Sequence, residues 1–271
     1  MNYKIAIPSY KRADRIITLN YFNDSLKAKT TLYVNHDEVE IYKKHNPEIN
    51  VVALSSQSTG NIAKIRNEIQ ELHGETPYIC CDDDLELLFE KSFNEKGKAI
   101  WTKLTPETTE KMFEKMIVQA MKPEVGIVGI SPRVRAWLYP VKLPYIDAGN
   151  PAVCVTAHHG KYAEYDEDLK LMEDLEYSMA LVSKNKRVRI LLNYGQDFNE
   201  TGNSEGGLEE VYKDVNAHYL KGVKKLIQKY PGIVKPYVTA RFNNSVKPRV
   251  AWSKLSPEIH LANKRLMESY K

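Results

Sequence analysis

The sequence predicts an α/β chain with a mixed, mostly parallel sheet flanked by helices. Two observations carry this. Through the first 84 residues, short apolar runs that end in polar turns alternate with helix-like segments. Strand, helix, strand, helix, strand is the pattern of parallel strands joined by crossovers. The last of these runs, Tyr78-Ile79-Cys80-Cys81, ends in three consecutive carboxylates, Asp82-Asp83-Asp84. Open α/β sheets bind their ligands just outside the carboxyl ends of their strands.

The elements follow in order. Tyr3 to Ile7 is a strand that stops at the turn Pro8-Ser9-Tyr10-Lys11-Arg12. Thr31 to Val34 is a second strand, ending in Asn35-His36-Asp37-Glu38, and Val39 to His45 is helix-like. Asn50 to Leu54 is a third strand, followed by a polar loop to Gly60. Ile62, Ile65 and Ile69 then share one helical face. After the acidic run, Lys91 to Lys103 is polar and reads as a loop. Thr105 is a fair N-cap and Pro106 suits the first helical position; Met112, Met116 and Ile117 form the apolar face. Val125 to Ile130 is a strand. Ser131 to Asn150 reads as a long covering loop and Ala152 to Thr156 as another strand. His158 and His159 follow it, but neighbours on a strand point to opposite faces, which argues against joint metal ligation. Met172, Leu175, Met179 and Val182 define a helical face, Val188 to Leu192 a strand, and Asn193 to Gly207 a polar loop.

Three adjacent carboxylates repel one another at a strand end. A hard divalent cation such as Mg²⁺ or Mn²⁺ removes that cost. Asp82, Asp83 and Asp84 therefore read as a metal-assisted phosphate site. The plain alternative is a solvated acidic turn capping a helix.

Composition sets bounds. A chain of 271 residues holds one large α/β domain with an appendage. It has no run of 18 apolar residues, so no membrane span is expected. The chain is already strand-like at Tyr3, so no secretory leader is expected either. Three cysteines, two of them adjacent in an apolar strand, suit a reducing cytoplasm better than a disulfide framework. Charge is uneven. Residues 220–271 hold twelve Lys and Arg against two Glu, a net of +10, so residues 1–219 carry −6 of the chain's +4. Five aromatics, Tyr230, Tyr237, Phe242, Trp252 and Tyr270, are interleaved with these cations. That mixture suits a phosphate backbone and stacked bases.

Three features together resemble a known family: Ile-Pro-Ser-Tyr-Lys-Arg after the first strand, Arg66-Asn67 on the helix before the acidic strand, and the Asp-x-Asp at that strand's end. They resemble a GT-A (Rossmann-like) nucleotide-sugar glycosyltransferase, and within that group the TET/JBP-associated, phage-type enzymes that decorate hydroxymethylated pyrimidines in DNA. The resemblance is clearest over residues 1–90 and returns at Met172 to Glu176. It implies a catalytic domain over 1–219 and a basic extension over 220–271 for acceptor contact. It implies a nucleoside-diphosphate sugar as donor, a UDP-sugar first, held with Mn²⁺ or Mg²⁺. Pro8, Ser9, Tyr10 and Arg12 would lie by the base and ribose. Arg66 would face the diphosphate or hold the acidic loop. Asp82 would meet the ribose or sugar and Asp84 the metal, with Asp83 in the middle of the motif and His218 as a further metal ligand.

A carboxylate at a helix start is stabilised in its ionised form, and an ionised carboxylate takes the proton of an acceptor hydroxyl. By the same resemblance Asp174, then Glu173, is the expected base, with Asp168 as competitor. Arg241, Lys247, Arg249 and Lys254 are the expected contacts to DNA carrying a hydroxymethylpyrimidine such as hydroxymethylcytosine. Two other readings use the same residues: an inactive GT-A fold that binds nucleic acid, and a metal-dependent nuclease or phosphotransferase.

Overall fold

The computed structural model describes residues 1–133, 138–139, 142–147, 154–197, 215–239 and 245–270. Its strands are β1 (Lys4–Pro8), β2 (Thr30–Val34), β3 (Asn50–Ala53), β4 (Tyr78–Cys81), β5 (Leu88–Phe93), β6 (Ala99–Lys103), β7 (Val125–Pro132), β8 (Tyr145–Asp147), β9 (Val155–His158), β10 (Arg187–Gln196), β11 (Val234–Thr239) and β12 (Ser245–Val250). Its α-helices are α1 (Asp24–Lys29), α2 (Val39–His45), α3 (Ile62–His73), α4 (Pro106–Ala120), α5 (Glu173–Ser183), α6 (Val215–Lys229), α7 (Trp252–Leu255) and α8 (Pro257–Glu268).

The first ten strands form one sheet in the order β3-β2-β1-β4-β9-β7-β10-β5-β6, with β8 paired to β10. β3, β2, β1 and β4 are parallel. β9 runs antiparallel to both β4 and β7, so β7, and β10 beside it, point the same way as the first four. This is the expected mixed, mostly parallel α/β sheet. The chain winds outward from β1 to β3, then returns to place β4 on the other side of β1. The β1/β4 pair is thus a switch point, where a crevice opens at the carboxyl ends.

Central strands read as nearly continuous apolar runs because helices cover both faces. Ile5, Ile7, Ile79, Cys81 and Val128 lie fully buried in one cluster with Met112, Phe113, Met116 and Ile117 of α4. Thr105 caps α4 in a reciprocal box with Thr108, with Pro106 in the first turn. Asn61 caps α3 by accepting from the amides of Ala63 and Lys64.

Four local expectations are corrected. Residues 91–103 are not a loop but most of the β5–β6 hairpin. Asn94 closes its turn by accepting from the amides of Lys96 and Lys98, Gly97 takes φ +73°, and the Lys91 ammonium lies over the Phe93 and Trp101 rings. The long segment after Ser131 contains β8, pinned where Arg189 donates to both oxygens of Asp147. β9 begins at Val155 and runs to His158; residues 152–153 lie outside the described set. β10 runs on to Gln196, beyond the expected start of a loop at Asn193, because its far end pairs with β5. α6 runs unbroken through positions 219 and 220.

Candidate active site

The carboxyl edge of the sheet collects side chains from several elements. The turn after β1 brings Ser9 and Arg12, and the turn after β4 brings the three aspartates. Ser9 Oγ donates to Asp83 Oδ2 at 2.5 Å and contacts the Tyr42 hydroxyl of α2 at 2.7 Å. Arg12 Nη1 lies 2.5 Å from Asp83 Oδ1 and 2.9 Å from Asp84 Oδ2. Both Asp83 oxygens are therefore engaged, and its side chain is only 9% exposed. The Asp84 side chain is 40% exposed and turns outward.

Arg66 of α3 sits on the other side. Its Nη1 donates to Glu173 Oε1 at 2.8 Å and its Nη2 lies 3.6 Å from Asp82 Oδ1. The guanidinium carbon lies 5.5 Å from the centre of the Tyr165 ring. Asn67, the next residue, clamps the Tyr165 backbone at both its N–H and its C=O. Behind Tyr165 stand stacked rings: Tyr177 at 4.0 Å, and a second stack of His73, Tyr78 and His158. Burial holds the His158 imidazole down at about 3, a neutral core ring. His158 is buried and His159 only half-buried, in keeping with opposite faces.

β9 runs opposite to β4, so its start lies at the same edge. There the Asp82 amide donates to the Cys154 carbonyl at 2.8 Å, and the Cys154 thiol hydrogen-bonds the Asp82 side chain. Glu173 and Asp174 open α5, and Asp174 Oδ1 accepts from the Leu175 amide at 2.8 Å.

Electrostatics separate these acids. Burial pushes the Asp82 carboxyl up to about 6 against the pull of Arg66, with Asp84 and Asp83 adding to the rise. Burial and then Asp174 push Glu173 up to about 7, again against Arg66. Asp174 is also raised, by burial. One arginine thus serves a cluster with more negative charge than it neutralises. Asp168, the competing base, is 80% exposed and paired to Lys225.

Backbone strain falls in the same place. Non-glycine residues with φ between +50° and +70° are rare and gather at functional sites. Of the five among the described residues, four adjoin the residues just described: Lys11 beside Arg12, Leu87 after the aspartates, Cys154 against Asp82, and Met172 before Glu173.

Among the described residues, no three His, Cys, Asp or Glu side chains form a ready metal cage. The donors still suit Mg²⁺ or Mn²⁺. Asp82 and Asp84 are hard oxygen ligands with an oxygen each outside the ion pairs above. Mg²⁺ is commonly held by one or two carboxylates plus the substrate's own phosphates. His218 lines a cleft of about 170 Å³ with Asp168, Leu169, Lys170, Lys221 and Gly222. The structure therefore brings together Ser9, Arg12, Asp83 and Asp84 on one side and Asp82, Arg66, Glu173 and Asp174 on the other. Tyr10 is half-buried under the Lys11 ammonium. Arg249 and Lys254 are exposed, and Lys247 packs on Tyr219 with its ammonium 3.0 Å from the ring centre. Arg241 lies outside the described residues, as does the polar loop from position 198 to Gly207.

Sequence reasoning missed Tyr42, Cys154 and Tyr165. Tyr42 looks like a helix core residue. Nothing local marks Cys154. Tyr165 stands out only as an aromatic inside an acidic stretch.

A sequence model described as TET-Associated Glycosyltransferase matches residues 3–207. No curated protein matches the chain. In fold the chain is similar to a mannosyltransferase from Pyrobaculum calidifontis in complex with GDP-Man and Mn²⁺, at 13% identity and TM-score 0.46, covering 99% of this chain and 72% of that one. It is also similar to mannose-1-phosphate geranyltransferase from Thermus thermophilus, at 10% identity and TM-score 0.39, covering 70% and 74%. A third likeness is to GalNAc-T7 with UDP, GalNAc and Mn²⁺, at 11% identity and TM-score 0.42, covering 85% and 52%.

Proposed function

The chain belongs to the TET-Associated Glycosyltransferase family, and from that premise we propose that it moves a sugar from a nucleoside diphosphate to a 5-hydroxymethyl group on a pyrimidine in DNA. That it is a glycosyltransferase follows from the family; the donor, the metal and the acceptor are the proposal. The observation that carries it is the under-neutralised carboxylate cluster of Asp82, Glu173 and Asp174 around Arg66, with Asp84 beside it, at the β1/β4 switch point.

Asp82 and Asp84 would hold Mg²⁺ or Mn²⁺ together with the donor's diphosphate. When bound, the ion supplies charge for the leaving diphosphate. Arg66, braced by Tyr165 and Asn67, fixes Glu173 and Asp82 relative to each other. Ser9 and Arg12 hold Asp83 and so set the turn on which Asp82 and Asp84 stand. Pro8 and Tyr10, on the same edge, face the nucleotide. Asp174, at the start of α5, takes the proton from the acceptor hydroxyl. Burial raises its carboxyl against the pull of Arg66, which strengthens the ionised form as a proton acceptor. Charge supports a nucleic-acid acceptor: the net +10 of residues 220–271 complements a phosphate backbone, and Arg249 and Lys254 are exposed there.

The test is mass spectrometry of hydroxymethylated DNA incubated with the protein, Mn²⁺ and a panel of UDP- and GDP-sugars. A hexose or pentose added to the hydroxymethyl base is the expected result. DNA cleavage with metal alone would favour a nuclease, and DNA binding with neither reaction an inactive module; either would overturn the proposal.

A further inference from the structure

The family match ends at residue 207, yet the chain beyond it is built onto the helix that carries Glu173 and Asp174. α6 lies close against α5: a Cβ placed on Gly222 would fall 2.5 Å from the Met172 methyl carbon. Met179 of α5 shares one buried cluster with Val223 and Leu226 of α6, and Val234, Val246 and Val250 of the β11–β12 hairpin enter it. Tyr219 of α6 links the hairpin to the site. Its phenol is raised by burial and then by the charges of Asp174 and Glu173, and Lys247 of β12 lays its ammonium 3.0 Å from the ring centre.

The hairpin is a two-stranded ribbon with unlike faces. Side chains alternate along a strand. Val234, Pro236 and Val238 of β11 therefore share a face with Val246, Pro248 and Val250 of β12, and this is the face that enters the cluster. The other face carries Lys235 and Tyr237 opposite Arg249 and Lys247. Lys235, Tyr237 and Arg249 are exposed, and the Arg249 guanidinium lies 5.7 Å from the centre of the Tyr237 ring. Like charges directly opposite across a ladder destabilise it, and Lys235 faces Arg249 in that way. No Asp or Glu occurs between Tyr230 and Pro257, against five Lys and Arg. An anion on this face would remove the cost. Another strand is a poor occupant: Pro236 and Pro248 sit opposite each other and leave both edges of the ribbon without a mid-strand N–H.

We propose that this cationic face of the β11–β12 ribbon docks in the major groove of the acceptor duplex, with Lys235, Tyr237 and Arg249 against its base edges and flanking phosphates. The inference rests on the reading of DNA as the acceptor. The major groove admits a two-stranded ribbon, and it is the groove that displays the 5-position of a pyrimidine. A ribbon seated there, and fixed through α6 to the start of α5, would hold the duplex with its hydroxymethyl groups on the side of Asp174. Lys235 and Arg249 supply charge for a phosphate or a guanine edge, and Tyr237 supplies an apolar ring beside Arg249.

The experiment uses a duplex in which hydroxymethylcytosine is flanked by guanines and adenines, and it needs no donor. Lys235→Gln with Arg249→Gln is compared with wild type and with Lys111→Gln with Lys264→Gln, a control that removes the same charge from exposed positions of α4 and α8. The ribbon variant should bind the duplex roughly tenfold or more weakly than the control, as expected for charged hydrogen bonds, with a salt slope flatter by about one to two. Tyr237→Ala should weaken binding with the slope kept. Dimethyl sulfate then reads the groove, since it methylates guanine N7 in the major groove and adenine N3 in the minor. Wild type should protect guanine N7 beside the modified base, and the ribbon variant at saturating concentration should not. Equal affinity and slope for the ribbon variant and the control, protection of adenine N3 in place of guanine N7, or a preference for single strands over the duplex would each overturn the inference. The melting temperature should hold or rise, because the like-charge pair is relieved; if the double variant melts early, the two single substitutions carry the comparison. Duplex bound in this way without sugar transfer would overturn the proposed function alone. Transfer with guanine N7 left open would overturn this inference alone.

Discussion

Arg12 and Arg66 stand on opposite sides of one sheet edge, and each answers two carboxylates. Their surroundings differ. Arg12 meets Asp83 at 2.5 Å in a pair whose side chains are 10% and 9% exposed, and Ser9 takes the remaining Asp83 oxygen. That side is closed and holds a turn in place. Arg66 stretches between Glu173 and Asp82, at 2.8 and 3.6 Å, with Asp174 adjoining. That side keeps surplus negative charge, and its carboxyls rise to about 6 and 7. Five acids crowd the edge, so their number does not say which of them do chemistry. The number of partners each has already found does.

The comparison can be broken most sharply at Asp82 and Asp84, the carboxylates of either side that keep an oxygen outside the ion pairs. Asp84→Asn and Asp82→Asn are expected to abolish transfer and metal-dependent nucleotide binding without loss of the fold. Calorimetry with UDP and Mn²⁺ checks this; equal affinity in wild type and both variants would refute the assignment. Asp174→Asn should follow, lowering turnover by roughly the 10²–10⁴-fold of a lost general base while donor affinity holds. Asp168→Asn should be mild, because that side chain is exposed and engaged by Lys225. Steady-state kinetics with the two variants reversed in severity would move the base to Asp168.

The closed side should respond in stability. Arg12→Met leaves the Asp83 carboxylate buried with Ser9 as its neighbour. Breaking a buried ion pair from one side costs about 3–5 kcal/mol; the remaining Ser9 bond and the exposure of Asp84 favour the lower end. Urea unfolding measures it. Lys29→Met, at the Glu110 pair near α1, should cost under about 1 kcal/mol, since its partners are about a quarter exposed. Equal costs for the two would mean that the Arg12 pair is no more than a surface contact.

Much of this was legible in the residues. The β1–β4 order is written in apolar runs separated by polar turns. Asp82 to Asp84 announce themselves by being consecutive, and Arg66 by standing on the helix before them. Their division of labour was not legible. Asp83 is tied down by Ser9 from 74 positions away, and Ser9 is in turn steadied by Tyr42 of α2. The left-handed backbones at Cys154 and Met172 are imposed by the site around them, since neither residue favours that conformation. The β5–β6 hairpin was hidden because its lysines suggested a loop; Lys91 is instead buried, with its ammonium over the Phe93 and Trp101 rings. Tyr219 carries no local mark at all, because α6 is brought to α5 only by tertiary packing.

The smallest effect bears on the open side's surplus charge. Asp82 and Glu173 hold their protons more tightly in the fold than in an unfolded chain, where carboxyls titrate near 4. Stability from such groups is fully present below their unfolded values and is lost as pH rises through the folded ones, here about 6 and 7. The whole-protein curve does not isolate this. His73 and His158 are held down by burial, at about 4 and 3. They act the other way in the same window, with stability present above about 6.5 and lost as pH falls. The diagnostic quantity is therefore the difference between wild type and Glu173→Gln, in which the imidazoles cancel. Between pH 5 and pH 8, without metal, that difference should move in favour of the variant by on the order of 1–3 kcal/mol, a range discounted for the shared charge of Asp174. Unfolding curves at four or five pH values measure it. Difference curves that stay flat across the window would mean that Arg66 already neutralises Glu173, and the two sides of the edge would then be electrostatically alike.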